Sequence, residues 1–497
     1  MIRKSMWLWV MLAAAVLLLP ACGSNGTPAP ETARTLALEP CWLSHPSVSR
    51  QYEARCGTLE VYEDNITNTG KKISLRVAVI PAGSSSPEAD PLFLLAGGPG
   101  QAASMDFVPL LSGLSRVNFK RDLVMVDQRG TGGSNPLVCP SLEAPEDPLY
   151  GTPSDEAETL EWSETCAAAL DADSRFYTTE HAARDLDAAR QALGYGQVNL
   201  LGVSYGTRMA QVYQRMYPDQ VRAMVLDGVV PLDWALGERV ALDAQRALDL
   251  LFARCQSEPG CREAFPALPE EFDGLLDRLD EEPVEVMLAH PLTGEDIRVL
   301  LSRETVGSAV RLLSYDSTTA ALLPLLIHQA SVEEKYQPLA AQYVMVSESL
   351  STSISYGMYY SVLCAEDVPY YPDIMEETGT YLAYDQALVR SICARWPHEP
   401  VPDAFHQPLR AEVPTLLVSG EVDPVTPPVY AERVAAGLPN SLNVVVPQMG
   451  HGNLHQGCLP LLIRDFLEAG SVEGLDAECV EKIRALPFFV SPVGPKP

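Results

Sequence analysis

The sequence predicts an α/β protein: a mostly parallel, twisted sheet with helices on both faces, interrupted by a largely helical insertion. Short apolar runs at 92–95, 123–126, 198–201, 224–226 and 415–418 read as strands buried on both faces. Helical patterns separate them. Ala182, Leu186, Ala189 and Leu193 fall on one helical face, as do Met209, Val212, Tyr213 and Met216. From Pro231 to about Leu409 the strand pattern stops and helical patterns dominate, with one possible hairpin around Leu292-Thr-Gly-Glu295; it resumes at Pro414.

Arg3 and Lys4 precede an apolar stretch from Met6 to Leu19, too short for a comfortable membrane span and built like a signal peptide. It ends in Leu19-Pro20-Ala21-Cys22, which resembles the bacterial lipobox. The expectation is a signal peptide over 1–21, a lipid on Cys22 and a tether over 22–40. Residues 23–32 are rich in Gly, Ser, Pro, Thr and Asn, as a flexible tether is. Gly23 replaces the aspartate that holds many lipoproteins at the inner membrane, which points to the cell envelope on the outer-membrane side. Cysteine usage agrees with export. Of eleven cysteines, ten remain beyond Cys22, and no pair has C-x-x-C metal spacing, so no metal or cofactor is implied. Neighbour pairing gives 41–56, 139–166, 255–261, 364–393 and 458–479, although sequence leaves the connectivity open. The turn Ser257-Glu258-Pro259-Gly260 makes the 255–261 pair the most direct. A formal charge of −30, with 65 acidic against 35 basic residues, argues against nucleic acid as a partner. Nothing in the sequence fixes an oligomeric state.

Taken in order, 56–61 and 73–80 alternate as antiparallel strands, with Asn65-Ile66-Thr67 as a turn between them. The strand at 92–95 ends in Ala96-Gly97-Gly98-Pro99-Gly100, and that at 123–126 in Asp127-Gln-Arg-Gly-Thr-Gly-Gly-Ser134. The strand at 198–201 enters Gly202-Val203-Ser204-Tyr205-Gly206 and a helix follows. The resulting division is a first core part over 41–230, a cap over 231–409 and a second core part over 410–497.

Strand, tight turn and helix around Gly-x-Ser-x-Gly is the setting of a nucleophile elbow, in which flanking glycines let strand and helix approach closely. A serine nucleophile needs a base, and the base needs an orienting acid. The strand at 415–418 runs into Gly420-Glu421-Val422-Asp423, and the strand at 443–446 runs into Gln448-Met449-Gly450-His451. Ser204, Asp423 and His451 are therefore the candidate catalytic residues, with Glu421 and His455 as competitors. The oxyanion donors are expected to be the backbone N–H groups of Tyr205, after the nucleophile, and Gly98, in the loop after the strand at 92–95.

Gly97-Gly-Pro-Gly100, Asp127 to Ser134, Gly202-Val-Ser-Tyr-Gly-Thr207, Gly420-Glu-Val-Asp-Pro-Val-Thr-Pro427, Gly450-His-Gly452 and Cys393-Ala-Arg-Trp-Pro397 together resemble the prolyl-aminopeptidase and tripeptidyl-aminopeptidase (TAP-like) branch of the α/β-hydrolases. Ala96 stands where prolyl aminopeptidases often have histidine, which favours the tripeptidyl-type branch. The resemblance implies an α/β-hydrolase fold and a serine exopeptidase acting on peptides with a free N-terminus. A carboxylesterase acting on small esters or lipids is the alternative, and a non-catalytic binding protein is a third. An aminopeptidase needs a group that holds the substrate ammonium. Glu366 and Asp367, in a Cys-Ala-Glu-Asp stretch that recurs in the cap of the resembling family, are the candidate pair.

Overall fold

The computed structural model describes residues 36–139, 149–152, 155–372, 379–382 and 385–495. The expected signal peptide and Cys22 lie outside these residues, as does most of the tether. Strands β1 (Glu39–His45), β2 (Val48–Asp64) and β3 (Thr69–Ile80) form an antiparallel meander. Next come β4 (Leu92–Leu95), β5 (Leu123–Val126), the two-residue β6 (Leu149–Tyr150), β7 (Val198–Val203) and β8 (Val221–Asp227). The insertion contributes β9 (Val284–Ala289) and β10 (Asp296–Leu301), and the chain then returns through β11 (Thr415–Gly420) and β12 (Ser441–Val446). The main sheet has the order β1-β2-β3-β5-β4-β7-β8-β11-β12, and its last six strands are parallel.

Five of these six strands are apolar because both faces are covered; β12, at the sheet edge, is half-buried. All four residues of β4 and of β5 are buried. In β7, Leu200 joins the cluster under helices Thr179–Ala192 and Tyr205–Met216, while Leu201 joins the cluster under helix Leu459–Ala469. The expected order of strands and helices is therefore observed. The sequence did not reveal β1, an edge strand with Leu43 buried and Trp42 59% exposed, because so little of it faces a core.

The insertion has its own core, including Leu248, Phe252, Phe272, Leu276, Val310, Leu326 and Leu339. The hairpin expected around 292–295 is β9–β10. Residues outside 231–409 join the packing of the insertion in two places. β6 pairs in parallel with β10, and helix Glu156–Ala169 brings Cys166 into a cluster with Leu363, Cys364, Cys393 and Trp396. At the other end, Phe488 is buried against the cap core and Phe489 N–H donates to the Ala321 carbonyl at 3.0 Å. A two-residue strand and a short tail fall below the length at which periodicity can be read. All five neighbour cysteine pairs are bonded, with Cα–Cα distances between 4.8 and 6.3 Å.

Candidate active site

Ser204 lies between β7 and helix Tyr205–Met216 with φ 57° and ψ −126°, a left-handed conformation that only a tightly held non-glycine residue keeps. The flanking glycines are required by space. A Cβ on Gly202 would sit 2.3 Å from the Gly206 carbonyl oxygen, and one on Gly206 would sit 2.1 Å from that of Leu95. Thr207 ties the turn from inside, its Oγ1 donating to the Ser204 carbonyl at 2.6 Å and accepting from Val230 N–H at 2.8 Å.

The register places the C-terminal ends of β4, β7, β8, β11 and β12 on one edge: Leu95 pairs with Gly202, Val203 with Asp227, and Gly420 with Val446. Asp423 and His451 leave from β11 and β12 at that edge. His451 Nδ1 is 2.8 Å from Asp423 Oδ2. The imidazole lies over Gly228, where a Cβ would come within 2.8 Å of His451 Cε1. Asp423 is fully buried and accepts from Val425 N–H and Thr426 N–H through Oδ1, each at 2.8 Å. Burial alone would raise its pKa, but His451 and these donors outweigh it and hold the carboxyl below its usual range. The competitors are elsewhere. Glu421 is exposed and accepts from Gln448 N–H, while His455 is exposed beside Gln456.

Burial disfavours the imidazolium of His451, yet the Asp423 charge and hydrogen bond prevail and its pKa is raised above the usual 6.5. Only the neutral ring can accept a serine proton, so a raised pKa moves the onset of activity upward. The kcat/KM for any ester or amide substrate should therefore rise with pH through an ionisation above 6.5, and an acid limb at or below that value would contradict this electrostatic picture.

Sequence reasoning missed two residues around the histidine. Thr426 Oγ1 donates to Asp423 Oδ2 at 2.8 Å and stands 3.1 Å from His451 Nδ1, so it braces the acid and the base together. Its signal was its place three residues after Asp423, where a hydroxyl can reach back to a carboxylate. Tyr315 belongs to the insertion. Its carbonyl accepts from His451 N–H at 2.7 Å, and its ring meets the imidazole edge-to-face at 5.3 Å. No local pattern announces a contact over that sequence distance.

The loop expected to stabilise an oxyanion lies against the elbow. A Cβ on Gly97 would sit 3.1 Å from Ser204 Cβ, and Gly98 has φ 103°, a region natural to glycine. Tyr205 is the first residue of its helix, so its N–H has no carbonyl four residues back to bond. Its buried hydroxyl is fixed by Thr179 Oγ1 at 2.6 Å and Gln128 Nε2 at 3.0 Å. Gln128 belongs to the Asp127–Ser134 motif, in which Arg129 is buried and pairs with Asp185 at 2.7 Å.

Glu366 and Asp367, the candidate pair for the substrate ammonium, do not present free carboxylates. Both are completely buried and already partnered. Glu366 accepts from Thr179 N–H at 2.5 Å and Thr179 Oγ1 at 2.7 Å. Asp367 accepts from Arg208 Nη1 at 2.9 Å and Leu236 N–H at 2.7 Å. Burial pushes Glu366 up to about 7 against the pull of Arg208. The expected bridge from Cys364 to Cys393 and its packing beside Trp396 are present, but they hold the carboxylates inside the core. Asp367→Ala should leave the Arg208 charge buried and underpaired, costing about 3–5 kcal/mol of stability. Urea unfolding would measure that loss, and activity of the remaining folded protein should fall alike on a free-amine peptide and on p-nitrophenyl acetate. Loss confined to the peptide would support the anchor role.

The fold and this edge of the sheet define an α/β-hydrolase with a serine, a histidine and an aspartate at the elbow end. Residues 90–260 match the model of the alpha/beta hydrolase fold, and residues 380–479 match that of the TAP-like protein, so the chain is an α/β-hydrolase with a TAP-like C-terminal region. It is 30% identical over 282 residues to the serine protease Hip1 of Mycobacterium tuberculosis, covering 52% of this chain and 54% of that protein. It is 36% identical over 190 residues to the tripeptidyl aminopeptidase of Streptomyces lividans, covering 35% of each. It is 27% identical over 146 residues to the proline iminopeptidase of Neisseria gonorrhoeae, covering 29% of this chain and 34% of that one. The chain thus spans about half the length, or less, of the curated relatives it matches.

Proposed function

We propose that the protein is a serine peptidase that removes residues or short peptides from peptide N-termini. The observation that carries this reading is the His451–Asp423 hydrogen bond at the sheet edge that also bears the strained Ser204. Ser204 Oγ attacks the scissile carbonyl as His451 takes its proton, and the resulting oxyanion is held by the N–H groups of Gly98 and Tyr205. Collapse expels the amine, which leaves with the proton from His451, and an acyl-enzyme remains. Water, deprotonated by His451, attacks the acyl carbon; the acid product departs and the proton returns to Ser204. The names of the relatives support peptides as substrates.

Burial of Glu366 and Asp367 favours a second reading, a carboxylesterase. A panel of amino-acyl, dipeptidyl and tripeptidyl amides, each free and N-acetylated, compared with simple esters, decides between them. Turnover of free-amine amides, lost on acetylation, is the expected result. Turnover of esters alone would establish the esterase. The proposal includes export through residues 1–21 and a lipid on Cys22. Mass spectrometry of the exported protein should find that cysteine acylated, and an unmodified Cys22 would refute the anchor.

A further inference from the structure

Asp227 ends β8, is fully buried, and has no part in the triad. Its main-chain oxygen accepts from Ser204 N–H at 2.9 Å. Its carboxylate Oδ2 accepts from Asn453 N–H at 2.5 Å and Leu454 N–H at 2.9 Å, just beyond His451 in the chain. The next residue, Gly228, has φ 67°, and a Cβ there would lie 2.8 Å from His451 Cε1 and 3.2 Å from Nδ1. Two consecutive residues therefore touch the nucleophile's turn, the imidazole and the loop that carries the imidazole. The other carboxylate oxygen, Oδ1, is buried without a hydrogen-bond partner among the described residues.

A buried carboxyl with one orphan oxygen is a costly way to satisfy two backbone amides, which a neutral acceptor could also bond. What aspartate adds is charge, and the titratable groups that act on it are His451 and Asp423. Burial pushes Asp227 up to about 6; the Asn453 and Leu454 amides and His451 oppose the rise, and Asp423 adds to it. When ionised, the carboxylate favours the protonated form of His451 alongside Asp423 and against the charge of Arg311.

We propose that Asp227 is a positioning residue for the reaction, tying the Ser204 turn to the His451 loop and holding a second negative charge beside the imidazole. The proposal rests on the triad reading above. Fluorophosphonate labelling of the wild-type protein tests that reading first, and a wild-type Ser204 that does not label overturns both. Given labelling, Asp227→Asn and Asp227→Ser are compared with wild type on p-nitrophenyl acetate, which depends on no peptide specificity. Asn keeps the shape and an acceptor but not the charge; Ser also shortens the tie. The Asn variant should lose about 10- to 100-fold in kcat with KM within about twofold, and the Ser variant more. In both, the acid limb of kcat/KM should move to lower pH, because the imidazolium has lost a stabilising charge. Wild-type kcat with an unmoved limb overturns the proposal. So does a loss confined to KM. Failure of both variants to fold, judged by circular dichroism and melting, assigns Asp227 to the fold alone and also overturns it.

Discussion

Ser204→Ala is expected to abolish turnover of ester and amide substrates and to leave a folded protein. Removing a triad nucleophile costs on the order of 10⁶-fold in kcat, and what remains is the slow reaction that binding and the oxyanion donors promote without it. The fold should survive because the demand at this position is on the backbone. Its φ of 57° and ψ of −126° strain alanine and serine alike, since both carry a Cβ and nothing larger that the turn must accommodate. The close approach of strand and helix that Gly202 and Gly206 allow stays in place. Turnover and fluorophosphonate labelling should vanish together while the circular dichroism spectrum and melting temperature hold. Near-normal turnover by the variant would remove Ser204 from the chemistry.

The positions proposed for the elbow, the acid and the base were legible because each lies where an apolar strand meets a turn. Strands buried on both faces leave continuous apolar runs, and the residues just after them at 96–101, 202–206, 420–423 and 448–451 are brought to one edge by parallel pairing. The burial of the carboxylates at 366 and 367 was not legible. Two adjacent acids look the same in sequence whether they face a cleft or a buried arginine. The missing clue was Arg208, a cation four residues past Ser204 on a helix whose first ten residues are all buried. A charge there demands a partner of opposite sign, and Asp367 supplies it at 2.9 Å. Asp227 was hidden inside a strand that reads as apolar, and its role emerges only from contacts to residues more than two hundred positions away. The extension of the cap to β6 and Phe488 was illegible because these pieces have no pattern of their own and gain their place from the core they join.

Asp423→Asn should cost about 10⁴-fold in kcat, the scale expected when the catalytic histidine is left in the wrong tautomer. The side-chain geometry gives the reason. Asp423 Oδ1 is claimed by two backbone donors, Val425 N–H and Thr426 N–H, both at 2.8 Å. An asparagine in the same rotamer must present its oxygen to those donors, because its NH₂ group cannot accept from them. Its NH₂ then occupies the place of Oδ2 and faces His451 Nδ1 across 2.8 Å. The ring can accept there only if its proton sits on Nε2, and a protonated Nε2 cannot take the proton of Ser204. The same change removes the charge that raises the His451 pKa, so the residual activity should show an acid limb shifted to lower pH. The protein should remain folded, since the variant can keep both backbone bonds and Thr426 Oγ1 can turn to accept. Steady-state kinetics on p-nitrophenyl acetate across pH test both effects at once. Activity within about tenfold of wild type, with an unmoved limb, would show that Asp423 does not serve His451 in the reaction.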